Sequence, residues 1–224
     1  MTLSIIIPVL NEACRLPILL ASVAPFRSRS VQVVFVDGGS TDGSAGLIER
    51  AGLQVVCSAK GRALQMNAGA AAASGDVLLF LHADTILPAG ADALIFDALA
   101  ASSRVWGRFD VHIDGRLRML RLVAFMMNWR SRLTGIATGD QAIFVRRDAF
   151  RTIHGFPDQP LMEDIELSRR LKQFSAPLCL SERVTTSGRR WETRGVWRTI
   201  LLMWHLRLRY WLGAPPESLA SQYR

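Results

Sequence analysis

Apolar and polar residues follow one another in blocks along the first 90 residues. LSIIIPVL (3–10) is a short continuous apolar run, the pattern of a parallel strand covered on both faces. Residues 12–24 carry Leu16, Leu19, Leu20 and Val23 at helical spacing. VQVVFVD (31–37) predicts a second strand, GSAGLIERAG (43–52) a short helix stopped by Gly52, and LQVVCS (53–58) a third strand. An Ala-rich helix over 61–73 leads into a fourth strand, DVLLFLHAD (76–84). Past residue 88 the pattern loosens. It predicts a helix over 91–100, a strand over 104–113 and a helix over 116–133 with Leu117, Leu120, Val123, Ala124 and Met127 on one side. A short strand and turn fall within 139–150, and a helix over 161–174. The last segment, 195–213, places Trp197, Leu201, Trp204, Leu208 and Trp211 on one helix face and Leu202, Met203, Leu206 and Tyr210 on the other. A helix apolar nearly all round is buried or interfacial. This one packs on the core or a second subunit, or lies on a membrane surface with Arg198, Arg207 and Arg209 at the headgroups.

Alternating strands and helices imply an α/β fold, with a mainly parallel sheet covered by helices on both faces. Ligands of such sheets bind beyond the carboxyl ends of the strands. Asn11, Glu12, Asp37, His82 and Asp84 all fall at predicted strand ends.

The composition changes this picture in three ways. With 224 residues, half of them hydrophobic, the chain can bury a core without disulfide or metal staples. A net charge of +8 favours acidic partners such as nucleotide phosphates, nucleic acid or anionic lipid. Cys14, Cys57 and Cys179 are isolated, which fits reduced thiols and a cytosolic location. The first residues lack the basic region of a signal peptide, and no apolar stretch is long enough to span a bilayer.

Five segments carry candidate chemistry. VDGGSTDGS (36–44) has glycines for tight turns and Ser40, Thr41 and Asp42 for capping, but neither the P-loop nor the dinucleotide fingerprint. In LFLHADT (79–85), His82 and Asp84 lie on the same side of the chain if it stays extended, so either could hold a divalent ion against a diphosphate. Lys60 and Arg62 oppose the helix dipole at the start of 61–73, which calls for an anion there. Glu163, Asp164 and Glu166 open a helix, where a carboxylate can serve as general base. Arg189 and Arg190 can clamp phosphate oxygens, and Trp191 can stack or pack.

Read in order, these segments resemble glycosyltransferase family 2. PVLNE (8–12) is similar to that family's opening segment, VDGGSTDGS to its nucleotide loop, and HAD (82–84) to its D-x-D element. GDQAIFVRR (139–147) and MEDIELSRR (162–170) are similar to its acceptor-side strand and base motif, and SGRRW (187–191) to its R-W element. GRALQMNAGA and TSGRRWE are closer still to a bacterial branch labelled arsenosugar-biosynthesis-associated glycosyltransferases.

The resemblance implies a GT-A, Rossmann-like domain over 1–193, with a nucleotide half to about residue 88, an acceptor half after it, and a helical extension over 194–224. It implies an inverting transfer from a nucleoside-diphosphate sugar, preferably a UDP-sugar, to a hydroxyl acceptor. Asp164 would be the base, with Glu163 beside it raising its proton affinity. Pro8, Asn11, Glu12, Asp37, Gly38, Lys60, Arg62, Asn67, His82, Ala83, Asp84, Arg189, Arg190 and Trp191 would bind the donor. Asp84 and His82 would hold Mn²⁺ or Mg²⁺; an imidazole ligand favours Mn²⁺. Two positions depart from the family pattern: Gly38 replaces an Asp that contacts the base in relatives, and His82 replaces the first Asp of D-x-D. The rival readings are a nucleotidyltransferase, which needs a glycine-rich loop at the first strand, a catalytically degenerate nucleotide-binding protein, and a nucleic-acid binder. The expectation is a cytoplasmic enzyme without nucleic acid, a homodimer or a protein of the inner membrane face being the alternatives for the last helix.

Overall fold

A computed structural model describes residues 1–223. In chain order the elements are β1 (Leu3–Val9), α1 (Leu16–Arg27), β2 (Gln32–Asp37), α2 (Ser44–Arg50), β3 (Gln54–Cys57), α3 (Arg62–Ala72), β4 (Val77–Phe80), β5 (Thr85–Ile86) and α4 (Ala91–Ala100). They continue with β6 (Trp106–Asp114), α5 (Met119–Thr134), a 3₁₀ turn (Gly139–Gln141), β7 (Phe144–Arg146), α6 (Arg147–Thr152) and α7 (Glu163–Leu171). β8 (Leu178–Ser187), α8 (Arg189–Arg194), α9 (Val196–Trp211) and α10 (Pro216–Tyr223) complete the chain.

One eight-stranded sheet runs in the order β3-β2-β1-β4-β7-β6-β8-β5. β3, β2, β1 and β4 are parallel, and β7 reverses direction against β4. The strand residues divide between two cores by strict alternation, as the pleat requires. Ile5, Ile7, Val33, Phe35 and Leu79 face α1, α4 and α5, whereas Ile6, Val34, Val36, Leu78 and Phe80 face α3, α6 and α7. The continuous apolar runs seen in the sequence reflect this burial on both sides.

Three local differences from the sequence expectations have physical causes. The fourth strand ends at Phe80 rather than Asp84, and residues 83–84 form a turn. β8 is a ten-residue strand that the hydrophobic pattern does not announce. Its register on β6 slips between Phe109↔Leu180 and Asp110↔Arg183, so a bulge carries Ser181 and Glu182 and breaks the alternation. The first helix starts at Leu16, with Pro17 in its first turn, rather than at residue 12.

α3 lies unusually close to the sheet because Gly69 faces it. A β-carbon there would stand 2.4 Å from Ile6 Cγ2 and 2.8 Å from Val36 Cγ2. α9 and α10 fold back on the domain through Leu206 and Leu219, which pack with Leu161 and Met162. Among the described residues no helix is long and apolar enough to cross a membrane.

Alanine inside a helix ordinarily gains about 1 kcal/mol over glycine. Gly69→Ala is nevertheless expected to destabilise the fold by roughly 1–3 kcal/mol, the usual cost of overpacking. Urea unfolding of the purified variant checks this. An unchanged or raised midpoint would show that α3 can move off the sheet at no cost.

Candidate active site

The site forms where the carboxyl ends of β1, β2 and β4 meet the loops of the antiparallel half. On the side of the parallel strands, the segments after β1 and β2 are joined by their own polar groups. Asn11, held at φ 56°, donates its backbone N–H to Ser40 Oγ (2.9 Å) and accepts the Thr41 N–H at Oδ1 (2.8 Å). The Glu12 N–H donates to Ser44 Oγ (3.0 Å), and the Ala13 N–H to Asp42 Oδ2 (2.9 Å). Ser44 first, then the Ala13 N–H, hold the Asp42 carboxyl below its ordinary value. Asp37 Oδ2 accepts the N–H groups of Gly39 and Ser40, both at 3.0 Å. Its other oxygen is buried without a partner.

Gly38 has a packing reason. A β-carbon there would stand 2.9 Å from the Gln65 side-chain amide carbon. Gln65, itself buried, donates from Nε2 to the carbonyls of Val9 (2.9 Å) and Val36 (2.8 Å), tying the ends of β1 and β2 together. The departure at Gly38 therefore accompanies a glutamine strut beneath the loop. Pro8 lies in β1 opposite Val36 and shapes the same edge.

His82 and Asp84 have partners in different places. The turn at 83–84, which includes Ala83, removes the extended geometry that would align their side chains. His82 Nδ1 meets Asp140 Oδ1 at 3.2 Å, and its buried Nε2, without a partner, lies against Gly139. Asp84 accepts the Thr85 hydroxyl at 3.3 Å, and its charge reaches Glu12. Burial raises the Glu12 carboxyl, with Arg15 and Arg189 opposing and Asp84 and Asp42 adding to the rise. Arg15 is anchored on Ser187 Oγ at 2.8 Å. Among the described residues no three His, Cys, Asp or Glu side chains are grouped to hold a metal ion on their own. The donor set suits an ion held by one carboxylate, Asp84, and completed by phosphate oxygens and water.

On the other side Asp164 occupies the first turn of α7. The Gly139 N–H donates to its Oδ2 (3.0 Å), and the Ile165 N–H to its Oδ1 (2.7 Å). Burial, followed by the Glu163 charge, pushes the carboxyl up to about 6, against the pull of Gly139 N–H and Arg62. Glu163, almost fully buried, pairs with Arg62 at 3.3 Å. Burial alone would lower the Arg62 guanidinium, but Glu163, then Tyr223, Asp140 and Asp164, turn its shift upward. Burial raises the Asp140 carboxyl too, yet the His82 hydrogen bond and charge, with Arg62 and Arg190, leave it below its ordinary value.

The remaining sequence candidates separate by role. Arg190 lies over the Tyr223 ring, 3.7 Å from its centre, and donates to the tyrosine hydroxyl. Asn67 uses its amide on the backbone of Phe156, donating and accepting at 2.9 Å, so it fixes the turn after α6. Trp191 packs on the core beside α5. Lys60 is exposed and has no side-chain hydrogen bond or ion pair.

Four residues at the site escaped the sequence reading. Asp140 stood inside the quoted GDQ segment, so a signal for it existed. Gln65 and Tyr223 act through contacts remote in sequence. Arg130 has two buried guanidinium nitrogens without partners. Burial lowers its pKa while Asp164 opposes the shift.

The Glycosyl transferase family 2 model matches residues 4–154. No curated protein matches the chain. Among solved structures, S. aureus TarS 1–349 superposes with a TM-score of 0.65 at 18% identity, covering 84% of this chain and 61% of that one. Its complex with UDP-GlcNAc gives 0.67 at 18% identity, over 84% and 58% of the two chains. Glucosyl-3-phosphoglycerate synthase from Mycobacterium tuberculosis, in complex with Mn²⁺, UDP and glucosyl-3-phosphoglycerate, gives 0.62 at 19% identity, over 83% and 70%. The chain thus spans about three-fifths of the length of TarS 1–349. At these identities the likeness is one of fold, the GT-A arrangement of a mainly parallel sheet between helices.

Because the Asp164 carboxyl titrates near 6 rather than near 3.8, the native state holds its proton more readily than the unfolded chain between those values. Its contribution to stability is therefore present at low pH and declines as the pH rises from about 4 to about 6. Asp164→Asn is expected to flatten that part of the stability–pH curve, measured by denaturant unfolding. An unaltered slope would place the raised proton affinity elsewhere.

Proposed function

The chain belongs to glycosyl transferase family 2, and on that premise we propose that it moves a glycosyl group from a nucleoside-diphosphate sugar, a UDP-sugar foremost, to a hydroxyl acceptor with inversion. The observation that carries this reading is the half-buried Asp164 carboxylate of raised proton affinity. It stands beside the Arg62–Glu163 pair, at the seam between the nucleotide loops and the acceptor half.

In this reading Asp164 takes the proton of the acceptor hydroxyl as its oxygen bonds to the anomeric carbon. The bond from that carbon to the diphosphate oxygen breaks in the same displacement, and the electron pair leaves with the diphosphate. A base titrating near 6 is mostly ionised at neutral pH and still basic enough to help. Arg62 and Arg190 face the leaving group with positive charge, and Lys60 adds to the field from the surface. The free oxygen of Asp37 is a buried acceptor suited to an N–H or O–H of the nucleoside. A bound Mn²⁺ or Mg²⁺ supplies Lewis-acid neutralisation of diphosphate charge, and Asp84 is the side chain that would hold it. His82 is committed to Asp140 and acts here as a positioning residue for that carboxylate. The complexes of the structural neighbours, UDP-GlcNAc in one and Mn²⁺ with UDP in the other, support donor and ion alike.

Calorimetric titration with UDP is the first test. Binding is expected in Mn²⁺, lost in EDTA and weakened by Asp84→Ala. Tyr223→Ala is expected to tighten it, since the phenol engages Arg190. No binding of UDP, GDP or dTDP in either buffer would overturn the reading.

Asp164→Asn is expected to lower turnover of a UDP-sugar by about 10²–10⁴-fold while UDP affinity stays nearly unchanged. In the unaltered protein kcat/KM should rise with pH through a midpoint near 6. Turnover retained in the variant would remove Asp164 from the base role.

A further inference from the structure

Two helices expose apolar faces that none of the described residues covers. On α5, Leu122, Phe125, Met126, Trp129 and Leu133 are all exposed, at i, i+3, i+4, i+7 and i+11. On α9, Trp197, Leu201, Trp204, Leu208 and Trp211 repeat the pattern, with Trp204 65% and Trp211 81% exposed. The opposite face of each helix is already occupied. Leu120, Val123 and Ala124 of α5 lie in the core under α1 and α4, and Val196 and Ile200 of α9 pack against that same core. One rigid body therefore carries both apolar faces. A solvated helix puts polar residues outward, and exposed apolar patches beyond a few hundred Å² mark interaction sites.

The charge pattern identifies the occupant. Neither helix contains an Asp or Glu, while Arg121 on α5 and Arg198 on α9 are exposed and Arg209 on α9 is half-buried. None of these three forms an ion pair with a carboxylate among the described residues. Arg116, Arg118 and Arg121 also line a cavity of about 430 Å³ at the start of α5. A second copy of the chain would bring arginines against arginines. An anionic lipid surface meets both halves of the pattern: acyl chains take the Leu, Phe and Trp side chains, and headgroup phosphates take the guanidinium groups. Tryptophan suits the boundary between them. We propose that the outer faces of α5 and α9 together form a docking surface for an anionic phospholipid bilayer, on which the protein lies without crossing it. This assignment does not depend on the reaction proposed above.

Co-sedimentation of the full chain tests it, with vesicles of phosphatidylcholine alone or containing about one-third phosphatidylglycerol. Binding to the mixed vesicles, a blue shift of tryptophan emission and release by high salt are expected, because exposed charge pairs are screened. The variant Trp197→Gln/Trp204→Gln/Trp211→Gln, and separately Leu122→Gln/Phe125→Gln/Trp129→Gln, should each bind at least about tenfold more weakly. Circular dichroism and UDP titration should be unchanged, since these side chains lie outside the donor site. Failure to bind the mixed vesicles, equal binding to both kinds, or loss from only one variant overturns the two-helix surface. A dimer in sedimentation equilibrium that the tryptophan variant dissociates, without vesicle binding, would give the face to a second copy.

Discussion

The pairing of β4 with β7 is the constraint on which the site depends. Leu79 lies opposite Phe144, and the Phe80 N–H donates to the Ile143 carbonyl at 2.9 Å. This antiparallel contact joins the parallel half of the sheet to a half of different topology. It also decides which side chains meet. His82 leaves the end of β4 and lies against Gly139 and Asp140, just before β7, while the Gly139 N–H holds Asp164 on α7. The 137–141 segment is pinned from both sides. Ser168 of α7 accepts the Ala137 N–H at 3.1 Å, and Gln141 reaches Asn128 of α5 at 3.3 Å. A shift of β7 along β4 by one residue would turn the side chains of β7 to the other face and move the 137–141 segment away from these partners.

Around that seam the charges are concentrated and nearly balanced. Glu163, Asp164 and Asp140 face Arg62 and Arg190, with burial amplifying every interaction. The result is a division of labour among three carboxylates. Glu163 is paired with Arg62, Asp140 is held ionised by His82 and the arginines, and Asp164 has a raised proton affinity. Two carboxyl groups next to each other in sequence thus acquire different chemistry from their surroundings. The same principle governs the ends of the parallel strands, where Asp37 uses one oxygen to shape its loop and leaves the other without a partner among the described residues.

The outside of the molecule follows a different logic. α5 and α9 each bury one apolar face and expose another, an arrangement unfavourable in water and suited to a boundary between water and hydrocarbon. The return of α10 adds a second consequence. It carries Tyr223 to Arg190, so α10 contributes a side chain to the charged seam.

The alternating elements of the first hundred residues were legible because their apolar runs are dictated by burial on both faces, a local property of each segment. The loops at the strand ends and the Glu163–Asp164 pair were legible for the same reason: glycine, capping and helix-start signals are written in adjacent residues. β8 was hidden by its bulge, whose polar residues interrupt the alternation. The His82–Asp84 spacing suggested a joint ligand pair only on the premise of an extended chain, and the turn at 83–84 sends the two side chains to separate partners. The exposure of the tryptophan face of α9 depends on which side the core occupies, and Gln65 beneath Gly38, or Tyr223 on Arg190, depends on contacts between segments far apart in the chain. Local sequence determined the elements and the inventory of chemical groups. Which of those groups share a low-dielectric site, and so which carboxylate has its proton affinity raised, was decided by the packing of β7, α7 and α10 against the parallel half of the sheet, because burial and charge proximity exist only once distant segments meet.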